Sequence, residues 1–191
     1  MFTGIIKSIG EINKINEKEQ GIELVIAFDV NQSISIGSSV CICGVCLTVT
    51  DLKDNLFSFD VMPETIRKTT LNFKQIGSKV NIEMVLRVGD ELGGHFVYGH
   101  IDGIGKVVSI KNEGDNKLVE FEVDNDIMKY IVPQGSVAVD GVSLTVARLG
   151  SNTFTVSLIP FTLENTTLGE LRVGEKVNIE SDMLAKFANK S

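Results

Sequence analysis

The chain contains the same segment twice. Residues 44–49 read GVCLTV and residues 141–146 read GVSLTV. The register around this phrase holds without a gap between residues 39–83 and residues 136–180, where about half of the aligned positions are identical. The repeated unit is much longer than a solenoid repeat and has the size of a small domain. The sequence therefore predicts two similar domains in tandem.

A glycine-rich stretch separates the two copies. Residues 89–95 read GDELGGH and predict a compact hinge with the domain boundary near Gly93. We therefore expect a first domain over residues 1–93, a second over residues 94–181 and a tail over residues 182–191. Domains this small bury a modest fraction of their surface, so each is expected to pack against the other or against another subunit.

Short β-prone runs recur in both halves with turn signals between them. In the first half they are residues 5–12, 21–28, 39–49, 55–61 and 79–85. In the second half they are residues 106–110, 118–123, 136–139, 154–159 and 176–180. This spacing predicts an all-β fold with a closed antiparallel barrel or a sandwich in each half. Helical turns are expected at residues 30–36 and 64–70, and a short helix at residues 182–189, where Asp182 lies in the first turn.

Charge and cysteine content exclude several classes of protein. The net charge of −7 and the pI of about 4.9 argue against a nucleic-acid partner, which needs a basic face. No apolar run is long enough to span a bilayer, and no basic stretch followed by an apolar one suggests an export signal. Three cysteines, all in one half, form a poor disulfide framework. We therefore expect a cytoplasmic protein.

The cysteines also raise the question of a metal site. Cys41, Cys43 and Cys46 have the spacing of a partial cluster, but a zinc site needs four ligands and the second copy has no cysteine. Reduced thiols on a half-buried strand are the simpler interpretation, and no metal is predicted.

The remaining candidates for chemistry are the repeated glycine turn and the positions where the copies differ, because the sequence shows no phosphate-binding loop, nucleophile elbow or dinucleotide fingerprint. These turns could be purely structural, or their backbone N–H groups could approach a flat ligand. The positions where the copies differ favour a ligand. Ile5, Cys43 and Cys46 of the first copy correspond to a histidine, an aspartate and a serine in the second. These are His100, Asp140 and Ser143. A histidine and a carboxylate in one pocket can transfer a proton near neutral pH.

Several motifs in order resemble the riboflavin synthase family over nearly the whole chain. They are MFTGII at residues 1–6, GVCLTV at 44–49, GGHF at 93–96, GHIDG at 99–103, DGVSLTV at 140–146, and IP with TLE at 159–164. The resemblance implies two six-stranded Greek-key barrels and a short C-terminal helix that gathers three chains into a homotrimer. It also implies a cofactor-independent transferase with a possible association with lumazine synthase. The implied reaction is the dismutation of two 6,7-dimethyl-8-ribityllumazine molecules, by four-carbon transfer, to riboflavin and 5-amino-6-ribitylaminouracil.

The resemblance also implies site residues. The expected catalytic residues are His100, Ser143, Cys46, Thr145 and Asp182. His100 is expected to transfer a proton with the aid of Ser143, whereas His95 is expected to be a structural residue at the hinge. The first pocket is expected to contain Gly4, Ile5, Ile6, Cys46, Leu47, Thr48, Asp60, Val61, Met62, Pro63, Glu64 and Thr65. The second is expected to contain Gly99, His100, Ile101, Gln134, Asp140, Ser143, Leu144, Thr145, Leu158, Ile159, Pro160, Phe161, Thr162 and Leu163.

Two other functions compete with this one. Antenna proteins of the lumazine type resemble the same family but hold a fluorescent pteridine or flavin without turnover, and they lose polar residues in one half. This chain keeps polar or thiol groups in both halves. A small-barrel nucleic-acid binder would need a basic groove with aromatic stacking platforms, and the chain has no Trp and two Tyr.

Overall fold

The computed structural model describes residues 1–29 and 33–189 and contains two closed antiparallel barrels of six strands each. The first consists of β1 (Ser8–Lys18), β2 (Gly21–Ala27), β3 (Ser39–Ile42), β4 (Val45–Lys53), β5 (Leu56–Val61) and β6 (Lys79–Met84). The second consists of β7 (Gly103–Glu113), β8 (Asn116–Glu122), β9 (Ser136–Val139), β10 (Val142–Leu149), β11 (Thr153–Leu158) and β12 (Lys176–Ser181). The strand order β1-β2-β5-β4-β3-β6 in the first barrel recurs as β7-β8-β11-β10-β9-β12 in the second. The predicted fold class is confirmed.

Every second side chain along the strands points inward and fills the core of its barrel. In β5, Phe57, Phe59 and Val61 are buried while the residues between them are not, as a strand with one face on a core requires. Phe57 stacks on Phe28 with 4.1 Å between the ring centroids. In the second barrel Phe121 and Phe154 form the corresponding aromatic pair. Each barrel therefore has its own core.

Two-residue turns fix the register of the repeated phrase. Between β3 and β4 the turn is Cys43 and Gly44, with φ of 46° and 83°. Between β9 and β10 it is Asp140 and Gly141, with φ of 44° and 80°. Positive φ at both central residues matches the right-handed twist of the flanking strands, and it explains the glycine in both copies. The two turns pack against each other, since a Cβ on Gly44 would lie 2.9 Å from the backbone nitrogen of Gly141.

Buried asparagines join the two barrels through reciprocal hydrogen bonds. Asn81 on β6 donates its amide to the Asp140 carbonyl at 2.9 Å, and Asn178 on β12 donates to the Cys43 carbonyl at 2.8 Å. The side-chain oxygen of Asn81 accepts an N–H at 2.8 Å from the second domain's 3₁₀ helix, Thr167–Glu170. The side-chain oxygen of Asn178 accepts an N–H at 2.6 Å from the first domain's 3₁₀ helix, Thr70–Phe73. The domains thus meet across an internal twofold axis.

Short helices complete the chain. They are α1 (Pro63–Lys68), α2 (Asn125–Met128), α3 (Pro160–Asn165) and α4 (Met183–Ala188). The predicted C-terminal helix is confirmed as α4, and the Asp182 carboxylate caps it by accepting the Leu184 N–H at 3.0 Å. In the described part of the chain, no helix is long and apolar enough to cross a membrane.

The structure corrects three details of the predicted elements. The first strand begins at Ser8 rather than at residue 5, because Thr3 and Gly4 are hydrogen-bonded to Glu83 and the Ile5 N–H donates to the Thr3 hydroxyl. Residues 33–36 are not helical, and the rest of the predicted turn at residues 30–36 lies outside the described residues. Helix α2 was not predicted.

Candidate active site

The repeated phrases present their polar residues on the outside of each barrel. In β4, Val45, Leu47 and Val49 point into the core, so Cys46 and Thr48 face outward. The equivalent strand β10 turns Ser143 and Thr145 outward in the same way. This alternation gives each barrel one small polar or thiol group next to one hydroxyl.

The segments that precede the barrels cross over to the opposite domain. We call residues 2–6 the first lead segment and residues 97–101 the second. The two pair through Phe2 and Val97, whose backbone hydrogen bonds are 2.7 and 3.0 Å long. The Gly4 carbonyl of the first lead segment accepts the Ser143 N–H at 2.8 Å, and the Gly99 carbonyl of the second accepts the Cys46 N–H at 3.0 Å. Each lead segment therefore lies against the phrase of the other domain.

Only glycine fits at these two crossing points. Gly4 has φ of 77° and Gly99 has φ of 78°, a region that side chains rarely adopt. A Cβ on Gly4 would lie 2.5 Å from the Cβ of Ser143, and one on Gly99 would lie 2.5 Å from the Cβ of Cys46. The close approach brings each lead segment's backbone directly beside the outward-facing residue of the phrase.

This crossing shows that the predicted grouping of pocket residues was wrong. Gly4, Ile5 and Ile6 do not accompany Cys46 but form part of the pocket at Ser143. Ile6 packs against the second domain's core, and Ile101 packs against the first domain's core. A cavity of about 410 Å³ is lined by Ile5, Ile6, Lys7, Ser8, Ile9, Phe161, Glu164 and Asn165. Neither Ser143 nor Cys46 lines this cavity. We call the surface where the first lead segment lies against Ser143 the Ser143 pocket, and the surface where the second lies against Cys46 the Cys46 pocket.

A histidine that was expected to be structural lies in the Ser143 pocket. The His95 Nδ1 atom is 2.7 Å from the Ser143 hydroxyl, and the His95 backbone N–H donates to the Thr3 carbonyl at 3.1 Å. Among the described residues, the buried Nε2 atom has no hydrogen-bond partner. Burial lowers the pKa of His95, although the charge of Asp182 raises it in part. A neutral ring protonated on Nε2 accepts the Ser143 proton at Nδ1.

His100 occupies a different place from the one expected. It belongs to the second lead segment, its side chain is exposed, and its ring lies 6.3 Å from the Tyr98 ring between centroids. The hydroxyl of Ser143 is bonded to His95 and not to His100. The sequence signal for His95 was the GGH motif at residues 93–95, which lies outside the aligned parts of the two copies.

Two buried glutamates hold the lead segments. The Glu83 carboxylate on β6 accepts the Thr3 N–H at 2.7 Å, the Thr3 hydroxyl at 2.6 Å and the Gly4 N–H at 2.9 Å. The equivalent Glu180 on β12 accepts the N–H groups of Tyr98, Gly99 and His100 at 2.6, 2.9 and 3.1 Å. Burial raises the pKa of both carboxyl groups, and these hydrogen bonds oppose the rise. Sequence reasoning did not single out either residue.

Several of the predicted binding residues have side chains in the barrel cores. These are Leu47, Val61, Leu144 and Leu158. Because their side chains point away from both pockets, only their backbone atoms could contact a ligand.

The other predicted contacts lie at the barrel ends near α1 and α3. Met62, Ile159 and Phe161 are exposed large apolar side chains beside these helices. Asp60 is paired with Lys18, and Glu64 with the side chains that follow it in α1. The remaining members are half-buried: Pro63, Thr65, Thr162 and Leu163. Pro160 is exposed at the start of α3, and Gln134 is exposed with φ of 61°.

Asp140 was expected to be part of the second pocket, but its carboxylate is buried and accepts the Asn178 N–H at 2.7 Å. It borders a cleft of about 580 Å³ between the domains, together with Lys74 and both 3₁₀ helices. Asp182, in contrast, lies close enough to His95 for its charge to affect the histidine pKa.

The cysteines are free thiols, and Cys41 and Cys43 are buried. Burial raises the pKa of Cys43 to about 12, so this thiol is not a nucleophile at neutral pH. Half-buried Cys46 is the thiol that borders a pocket. Among residues 1–29 and 33–189, no group of three or more histidine, cysteine or acidic side chains is arranged to hold a metal ion.

Comparisons with known proteins agree with the duplicated architecture. The family model of the lumazine binding domain matches twice, at residues 3–85 and 98–182. The riboflavin synthase of Bacillus subtilis is 41% identical over 188 residues, which cover 98% of this chain and 87% of that protein. The riboflavin synthase of Brucella abortus is 42% identical over 195 residues, which cover 98% of this chain and 96% of that protein.

Solved structures give the same fold. A crystal structure of LumP complexed with riboflavin aligns with a TM-score of 0.88 and 27% identity, covering 95% of this chain and 99% of LumP. LumP complexed with 6,7-dimethyl-8-(1'-D-ribityl)lumazine aligns with a TM-score of 0.86, 27% identity and the same coverage. Because the family model matches both halves and the sequence identity to these relatives extends over 98% of the chain, the chain belongs to the riboflavin synthase family and is an enzyme of the transferase class.

Proposed function

We propose that the chain converts two molecules of 6,7-dimethyl-8-ribityllumazine into riboflavin and 5-amino-6-ribitylaminouracil by moving a four-carbon unit between them. The two products together contain all the atoms of the two substrates, so the reaction needs no external oxidant or reductant. Both the relatives' names and the ligands in the LumP structures support a lumazine as the substrate.

The observation that carries this proposal is the pair of equivalent pockets with unequal chemistry. One contains Ser143 hydrogen-bonded to His95, and the other contains the thiol of Cys46 beside the second lead segment. A dismutation uses two identical molecules in different roles, one giving and one receiving carbon. Related pockets with different side chains suit that requirement, and holding two rings in a fixed orientation supplies much of the rate.

In the Ser143 pocket we assign His95 the role of proton acceptor. With its pKa lowered by burial, the ring is neutral at pH 7 and can take the proton from Ser143 or from a water that replaces its hydroxyl. The oxygen can then add to a C=N carbon of the electron-poor pteridine ring, whose π electrons move onto the ring nitrogen. The oxygen leaves again, with the proton returned by His95, before the products are released. Asp182 would stabilise the imidazolium that forms, and Thr145, outward on the same strand, would contact the substrate.

In the Cys46 pocket we assign the exposed His100 to proton transfer. One substrate must lose a proton from a ring methyl group, and the resulting anion spreads into the heterocycle. Cys46 and Thr48 lie on the outward face of β4 and would line the pocket beneath it.

We also propose that the working form is a homotrimer in the cytoplasm that associates with lumazine synthase. Helix α4 leaves Leu184 and Phe187 exposed to more than half of their surface, which association through this helix would cover. Native mass measurement should give three chains, and a clean monomer would contradict the proposed homotrimer.

Incubation with the lumazine alone tests the proposed reaction. Chromatography should show riboflavin and the aminouracil appearing in equal amounts without added cofactor. An antenna protein of the LumP kind would instead hold the lumazine with steady fluorescence, and this outcome would refute the dismutation.

His95→Gln tests the assignment within the reaction. The change keeps a polar side chain but removes the basic nitrogen, so kcat should fall by about 100-fold or more while riboflavin still binds. The matched variant is Ser143→Ala, whose kcat should fall by a similar factor. The double variant should be no slower than either single one, since the two residues act as a unit. Undiminished turnover of His95→Gln would remove the residue from the mechanism.

A further inference from the structure

The two buried glutamates connect each domain to the pocket on the other. Glu180 lies in the second domain, yet the Gly99 N–H that it binds at 2.9 Å belongs to a residue whose carbonyl accepts the Cys46 N–H at 3.0 Å. Glu83 is linked to Ser143 through Gly4 in the same way, by bonds of 2.9 and 2.8 Å. Only two hydrogen bonds therefore separate each carboxylate from the outward-facing residue of the opposite phrase.

The glutamates are well suited to fix these segments. Each is buried and accepts three donors from one lead segment, and charge-assisted bonds of this kind are roughly twice as strong as neutral ones. The lead segments precede β1 and β7. They have few ladder bonds of their own, apart from the bridge between Phe2 and Val97. The carboxylates take the place of the missing ladder.

We propose that Glu83 and Glu180 are positioning residues that act crosswise, Glu83 shaping the Ser143 pocket and Glu180 shaping the Cys46 pocket. The inference rests on the proposed function only in taking these two regions as the substrate pockets. It goes beyond that function because it assigns control of each pocket to a residue of the other domain. Two residues that served only to hold their own barrel would affect their own domain instead.

Thiol reactivity can read out each pocket separately. Cys46 is half-buried beside Gly99, so its rate of alkylation by iodoacetamide reports how firmly the second lead segment covers it. The double substitution Cys46→Ser and Ser143→Cys moves the reporter to the Ser143 pocket, at the equivalent position of the repeat. Cys41 and Cys43 are buried and serve as internal controls in the same mass spectrum.

The test measures these rates in the full-length chain carrying Glu83→Gln or Glu180→Gln. Gln keeps the shape of the glutamate side chain but removes its charge. It also replaces one accepting oxygen by an NH2 group, which cannot accept the N–H donors of the lead segment. Glu180→Gln should speed alkylation at position 46 by about 10-fold or more and leave position 143 within about twofold. Glu83→Gln should do the reverse. Exposed Glu11 on β1 and Glu113 on β7, changed to Gln, are matched controls that should alter neither rate.

Riboflavin gives a second readout. It should protect position 46 in the chain that keeps Cys46 and position 143 in the chain that carries Cys46→Ser and Ser143→Cys. Protection should be lost at position 46 with Glu180→Gln and at position 143 with Glu83→Gln. Equal effects at both positions, or effects on the glutamate's own domain, would overturn the proposal. If a Gln variant does not unfold cooperatively, Glu→Asp at the same position keeps the charge and should give the same crossed pattern. A chain that binds riboflavin but leaves the lumazine unchanged would refute the proposed reaction alone.

Discussion

Replacing Asp140 by Asn should stabilise the protein above neutral pH but not in acid. The carboxyl group is 3% exposed at the interface of the two barrels and accepts one backbone N–H, from Asn178. Burial raises its pKa from 3.8 to about 6, although the charge of Lys74 and the hydrogen bond from Asn178 act in the opposite direction. The ionised form is therefore disfavoured by the fold.

The magnitude follows from the two pKa values. The change from 3.8 to about 6 corresponds to roughly 3 kcal/mol at 1.36 kcal/mol per pH unit. Between these values the folded state binds more protons than the unfolded state, so the free energy of unfolding falls as the pH rises. Below about pH 4 both states are protonated and the penalty disappears, whereas above about pH 6 it is fully present.

Asparagine is the right perturbation because it removes the charge and keeps the shape. It tolerates the φ of 44° at this position as well as aspartate does, and its carbonyl can still accept the Asn178 N–H. The variant loses the attraction between Asp140 and Lys74. This attraction is already one of the causes of the pKa of about 6, so it is not counted a second time. We expect Asp140→Asn to be more stable by up to about 3 kcal/mol near pH 7.5 and equal to the unmodified chain near pH 3.

Urea denaturation across this pH range provides the assay. The difference in the free energy of unfolding between the two chains should grow through the window between the two pKa values and then level off. Asp51→Asn, an exposed change of the same charge, should show no such growth. If Asp140→Asn were no more stable than the unmodified chain near pH 7.5, or gained equally near pH 3, the argument would fail.

Three further substitutions test other parts of the structure. Asn81→Ala removes both inter-domain hydrogen bonds of its side chain and leaves their partners unpaired, so urea denaturation should show a loss of about 2–5 kcal/mol; a loss below about 1 kcal/mol would contradict the reciprocal contact. Gly99→Ala places a Cβ against the backbone of Cys46 at positive φ, and should cost about 2 kcal/mol or more and weaken riboflavin binding, whereas native-like binding would argue against the crossing. Lys186→Ala breaks the 2.6 Å ion pair with Asp102 and should speed hydrogen exchange in α4 by about 10-fold; unchanged exchange would show that the pair does not hold the helix.

The fold could be predicted because its determinants are local and written twice. Alternation in β5 and the two-residue turns before Val45 and Val142 specify strand, turn and strand without long-range information. The beginning of β1 could not be predicted in this way. Ile5 and Ile6 are as β-prone as any strand residue, but Glu83 and the opposite domain hold this stretch outside the barrel.

The site was predicted less completely. The repeat identifies Cys46 with Ser143 and Ile5 with His100, but it says nothing of which domain each residue touches, and the lead segments cross. His95 has no counterpart in the first copy, so comparison of the copies could not single it out. Its role depends on a contact across 48 residues that only the folded chain reveals.

The reciprocal bonds of Asn81 and Asn178 are those expected of two identical subunits related by a dyad. A single-barrel ancestor could have made the same contacts only by pairing with a second copy, with the lead segment of each copy lying against its neighbour. In such a pair both pockets must carry the same residues. In a single polypeptide that constraint is absent, and position 46 carries a thiol where the equivalent position 143 carries a hydroxyl.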